Sequence, residues 1–73
     1  MKNEELLIFC SNVKKLRQRS GLSKTKMAKT IHVGVKTLQK IEEGELPPRV
    51  SSEVIFWLAD SFGLKSDELF KPL

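Results

Sequence analysis

The chain is poor in the residues that build most catalytic and metal sites. It has one cysteine, Cys10, one histidine, His32, and no tyrosine. A lone thiol cannot close an internal disulfide, and one Cys with one His is no zinc framework. No metal site is therefore expected, and the cysteine usage does not point to an oxidising compartment. Only nine acids are present, and no nucleophile–base pair stands out among them and the single His and Cys. The expectation is a protein that is not an enzyme, with no catalytic residues, no cofactor and no evident small-molecule ligand. Long apolar runs are also lacking. Leu6-Leu7-Ile8-Phe9-Cys10 follows Glu4 and Glu5, and is far too short for a signal-peptide h-region or a membrane span. A cytoplasmic protein without a membrane partner is expected. With no tyrosine, the aromatic platform on which single-stranded RNA stacks is missing as well.

The scarcity that says most is local. No Asp or Glu occurs between Glu5 and Glu42, a stretch of 36 residues. That stretch holds Lys14, Lys15, Arg17, Arg19, Lys24, Lys26, Lys29, Lys36 and Lys40, nine of the thirteen basic residues. A net charge of +4 is modest, but its one-sided placement suits a polyanion. A solvated lysine-rich surface is the alternative reading of charge alone.

What remains is helical. At 73 residues there is room for one domain, 1–73, with a small core. Gly21, Gly34, Gly44, Pro47-Pro48, Gly63 and Pro72 punctuate the chain, and the spacing between them is helical, without strand-like alternation. A first helix starts after Asn3 as N-cap, with Glu4 and Glu5 favourable to its dipole. Leu6, Phe9, Val13 and Leu16 share one arc, Cys10 lies at its edge as a small core residue, and Ser20-Gly21 ends the helix. Ser23 caps a short second helix running to about Ile31, with Met27, Ala28 and Ile31 on one face. His32-Val33-Gly34 then makes a tight turn. Gly34 caps a third helix from Val35 to about Glu43, held by Leu38 and Ile41 and ended by Gly44. After a Pro-Pro loop, Ser51 caps a fourth helix, with a Val50–Ile55 staple and a core stripe of Ile55, Leu58, Ala59 and Phe62. Ser66 caps a last turn in which Leu69 and Phe70 close the core. The fold class is all-α, a compact bundle of about five short helices.

The third helix has an outer face. Lys36 lies about 200° from Leu38 around the helix, with Lys40 one turn below it. Val35 and Gln39 form the neighbouring ridge. A short helix that presents Val35, Lys36, Gln39 and Lys40 has the dimensions and chemistry to read the major groove of double-stranded DNA. Lysine donates to guanine O6 and N7, glutamine pairs with adenine, and valine contacts a thymine methyl group.

The ordered series Val13-Lys14-Lys15-Leu16-Arg17, Gly21-Leu22-Ser23, Met27-Ala28, Ile31, Val33, Thr37-Leu38, Ile41-Glu42 and Gly44 resembles the lambda-repressor-like helix-turn-helix family. So do Leu58-Ala59, Phe62-Gly63-Leu64 and Leu69-Phe70 further along. This is the Cro/repressor-type or xenobiotic-response-element family of transcriptional regulators, and the resemblance spans roughly residues 13–70. It implies a lambda-repressor-like bundle with its helix-turn-helix at 23–43. It implies base readers at Val35, Lys36 and Lys40 with Gln39 adjacent, and phosphate contacts at Lys24 and Arg49. It also implies a tie between Arg17 and Glu42, with Arg17 able to approach a phosphate; a weak surface ion bridge is the alternative for that pair. Three positions depart from the family pattern. His32 stands where glycine is usual, Gly34 where Ser or Thr caps, and Lys24 where Gln both touches phosphate and braces the first reader.

The fourth helix carries more apolar surface than one core can cover. Trp57 points nearly opposite the expected stripe, Phe56 flanks it, and Leu7 lies off the arc of the first helix. Phe56 and Trp57 are candidate dimer residues, the alternative being that the N-terminal turn folds over Trp57. The resulting expectation is a sequence-specific DNA-binding regulator, bacterial or phage-type, acting as a homodimer and more in the manner of a repressor than an activator. The competing reading is a protein-interaction module, such as an antitoxin or accessory factor, with weak or lost DNA binding.

Overall fold

The computed structural model describes residues 4–46 and 52–73. Four α-helices follow one another: α1 (Glu4–Ser20), α2 (Lys24–Thr30), α3 (Val35–Glu42) and α4 (Glu53–Phe62). A 3-10 turn, Ser66–Phe70, comes last, and the described residues contain no strand.

All four helices end in the same way, and that ending sets the sharp turns of the fold. Leu22 N–H donates to Arg17 O (3.1 Å), Val33 to Ala28 O (2.9 Å), Glu45 to Lys40 O (2.9 Å) and Leu64 to Ala59 O (2.8 Å). Each is the long backbone bond of a Schellman motif, which requires a left-handed residue just before the donor. Gly21 (φ +69°), Gly44 (φ +95°) and Gly63 (φ +66°) serve at three of the ends. At the end of α2 the position is taken by His32, at φ +60°.

The starts are simpler. Ser23 Oγ accepts from Lys26 N–H at 3.2 Å, so α2 begins on a side-chain cap. Gly34 precedes α3 with an extended backbone and offers no side-chain bond. The 3-10 turn opens with Lys65, not Ser66, in the cap position, where the Lys65 N–H donates to Glu68 Oε1 at 2.8 Å. Asn3, the Pro47-Pro48 loop, Arg49, Val50 and Ser51 lie outside the described residues. The expected Asn3 and Ser51 caps and the Val50–Ile55 staple lie there with them.

The core draws on every element. Phe9, Cys10, Val13 and Leu16 of α1 meet Met27, Ala28 and Ile31 from α2 and its end, Leu38 and Ile41 of α3, Val54, Leu58 and Ala59 of α4, and Leu69. Phe70 stacks on Phe9 with ring centroids 5.3 Å apart. Leu6 falls at the margin, half-buried. On α4 the stripe is turned by one position from the expected one. Val54 is buried, while Ile55 and Phe62 are half-buried. Val54 stands one turn before Leu58 on the same face, so centring the helix on Leu58 and Ala59 brings Val54 in and moves Ile55 to the rim.

One core residue is polar. Asn12 is fully buried, and its Nδ2 donates to Leu69 O and to Lys71 O, each at 2.8 Å. This amide fastens the C-terminal segment to the middle of α1, and Arg19 Nη2 reaches Leu73 O at 3.3 Å further along.

Candidate nucleic-acid interface

α2, the His32-Val33-Gly34 turn and α3 form the helix-turn-helix. Leu38 and Ile41 are both 0% exposed, so α3 is pinned along one side. The other side is open: Val35, Lys36, Gln39 and Lys40 are all exposed. The four expected readers thus share one accessible face of one short helix. Among the described residues, neither Lys36 nor Lys40 is ion-paired. Lys24, the first residue of α2, is exposed and likewise unpaired, at a helix start whose free N–H groups favour an anion. Arg49 is outside the described residues.

The orientation of α3 is fixed at its far end by a charged clamp. Arg17 Nε donates to Glu42 Oε2 at 2.6 Å and Arg17 Nη2 to Glu42 Oε1 at 3.0 Å. The third nitrogen, Nη1, reaches Leu22 O at 3.4 Å. The two side chains are only 15% and 5% exposed, which sets this pair apart from an ordinary surface bridge. The hydrogen bond with Glu42 raises the pKa of Arg17 further, against the opposing effect of burial. Three of the five guanidinium N–H groups are engaged in these bonds, which hold Arg17 against Glu42 and the end of α1.

The turn is buttressed from α4. The imidazole of His32 lies over Trp57, ring centroids 4.0 Å apart and planes tilted by 40°. Trp57 is therefore half-buried and packed on the helix-turn-helix, where the sequence had it facing away from the fold and covered, if at all, by the N-terminal turn. The difference is a tertiary one: the left-handed backbone at His32 swings its side chain toward α4, which helical-wheel geometry cannot register. Phe56 next to it is 62% exposed, the most exposed of the large apolar side chains among the described residues. Leu7 is 54% exposed and lies close to the backbone of Gly44 at the end of α3.

Three features of this region escaped sequence reasoning. Asn12 carried no local signal, because its partners lie 57 and 59 residues away. The His32–Trp57 stack was hidden for the same reason. Glu43 was passed over as a helix end, yet it is exposed and borders the same surface depression as Lys36, Gln39 and Lys40. The i, i+4 spacing from Gln39 could have flagged it.

Among the described residues no group of His, Cys, Asp and Glu is arranged to hold a metal ion. Among the same residues no helix is long and apolar enough to cross a membrane. A family model described as helix-turn-helix matches residues 13–69, which covers α2, the turn and α3 together with the C-terminal part of α1 and all of α4. No curated protein and no solved structure matches the chain.

Proposed function

The chain belongs to the Cro/C1-type, lambda-repressor-like helix-turn-helix family of DNA-binding transcription regulators, and on that premise we propose that it reads a specific duplex sequence by placing α3 in the major groove. The observation that carries this reading is the two-sidedness of α3. Leu38 and Ile41 are sealed in the core while Val35, Lys36, Gln39 and Lys40 stand free on the opposite side. Lysine and glutamine there supply donors and acceptors to base edges, and Val35 supplies an apolar contact. Lys24 at the start of α2 and Arg49, which follows α3 in the sequence, contact phosphates and set the register. Arg17 and Glu42 hold α3 at the angle the groove requires.

The domain acts as a homodimer on two half-sites about 34 Å apart. Phe56, with the neighbouring half-buried Trp57, forms the contact between copies. It works as a repressor, since occupying an operator needs only a DNA-binding surface. The chain works by binding, without chemistry of its own.

Selection of bound duplexes from a random pool tests this reading. We expect enrichment of a sequence with two-fold symmetry. A pool that stays random after repeated rounds at low salt, with folded protein at 1 µM on the order of a non-specific dissociation constant, would contradict it. The exposure of Phe56 favours one second reading, a module that binds another protein through α4. That reading predicts no duplex enrichment.

A further inference from the structure

The outward side of α3 carries one charge of the wrong sign for a polyanion. Glu43, directly after the last turn, is exposed and shares its surface depression with Lys36, Gln39 and Lys40. It follows Lys40 by three residues and Gln39 by four, so the three occupy one side of the helix. Gln39 Nε2 donates to Glu43 Oε2 at 3.3 Å. Among the described residues no Lys or Arg is ion-paired with this carboxylate. Among the described residues its other oxygen, Oε1, accepts no hydrogen bond.

A carboxylate on such a face is repelled by every phosphate, so it lowers affinity for all sequences alike unless a base returns a hydrogen bond. The donors available in the major groove are exocyclic amino groups, and a carboxylate accepts from cytosine N4. A G·C pair shows the N7 and O6 acceptors of guanine beside the N4 donor of cytosine. Lys40 and Glu43, a donor and an acceptor one helical turn apart, repeat that pattern in complement.

We propose that Glu43 is a specificity-determining residue of the DNA-reading face: it accepts from the amino group of a cytosine whose paired guanine is contacted by Lys40, and disfavours bases that present an acceptor there. The proposal rests on the major-groove reading of α3. Gln39 positions the carboxylate by holding one of its oxygens.

The test is duplex selection from a random pool at fixed salt with the wild-type protein, Glu43→Ala and Glu43→Gln, each shown to be folded by thermal unfolding. The wild type should fix a cytosine at one position of each half-site. Glu43→Ala should lose that preference by about tenfold or more, keep the other positions, and bind random duplex more tightly. Glu43→Gln should move the preference toward adenine, the base glutamine pairs with. If both variants select the wild-type sequence at every position, Glu43 is no reader, whatever happens to affinity. That result would leave the reading of α3 intact, whereas failure of the wild type to select any duplex would overturn both.

Discussion

Arg17 and Glu42 show how much one side-chain pair can decide in a domain with so small a core. Their two hydrogen bonds, 2.6 and 3.0 Å, are bidentate and largely shielded from water. Removing one partner leaves the other charge without a counterion in a half-dry site, which costs far more than losing a surface bridge. We expect Glu42→Ala to destabilise the fold by about 2 kcal/mol in urea unfolding, and Arg17→Lys to recover only part of the wild-type value because an ammonium cannot match the fork. Asn12 is a second such residue. Asn12→Ala removes the donor from one buried and one partly buried carbonyl, and a loss of about 2 kcal/mol is expected in the same assay. Cys10 is a third. Burial pushes its thiol pKa up, so the folded state disfavours the thiolate. Below the ordinary thiol pKa of about 8.5 both states are neutral and the shift has no effect on stability. Above it, only the unfolded chain ionises freely, so stability should fall as pH rises through that value. Alkylation of Cys10 in the native protein should correspondingly be slow and should accelerate in denaturant.

At the scale of elements, the turn between α2 and α3 carries the most information about function. A left-handed non-glycine residue costs roughly 1 kcal/mol relative to glycine. His32 accepts that cost and packs its tilted ring against Trp57, centroids 4.0 Å apart, and an aromatic contact of that kind returns about 0.5–1.5 kcal/mol. The two effects nearly cancel. His32→Gly should therefore leave global stability close to wild type, while a double-mutant cycle of His32 and Trp57 should report a coupling of about 0.5–1.5 kcal/mol. Additive single mutants would show that the stack does no more than fill space. The contrast between what was legible in the sequence and what was not falls along the same line. Ser23, Gly34, Gly44 and Gly63 announced their helix ends because capping chemistry is local, and His32 was readable as a turn residue. The outer face of α3 was readable because helical spacing is local as well. The inward turn of Val54, the half-burial of Trp57 and the role of Asn12 depend on which distant element arrives to pack against them. No window of neighbouring residues contains that.

At the scale of the whole molecule, charge and shape divide the labour. The basic residues of α1, α2 and α3 draw the domain to a duplex, and that attraction is independent of sequence and weakens with salt. On the proposed reading, the exposed residues of α3 add discrimination only once the helix is seated, and the core beneath them, with the Arg17–Glu42 clamp and the His32 contact, supports that seat. This separation makes a measurable distinction between residues that attract and residues that read. The most direct measurement is the ratio of affinities for a selected duplex and a scrambled one, at one salt concentration, for the wild type, Lys24→Ala, Lys36→Ala and Lys40→Ala. The account predicts that Lys24→Ala weakens both duplexes in step and leaves the ratio unchanged, while Lys36→Ala and Lys40→Ala reduce the ratio by about tenfold each. If all three variants weaken both duplexes equally, α3 does not read bases and the central claim is wrong.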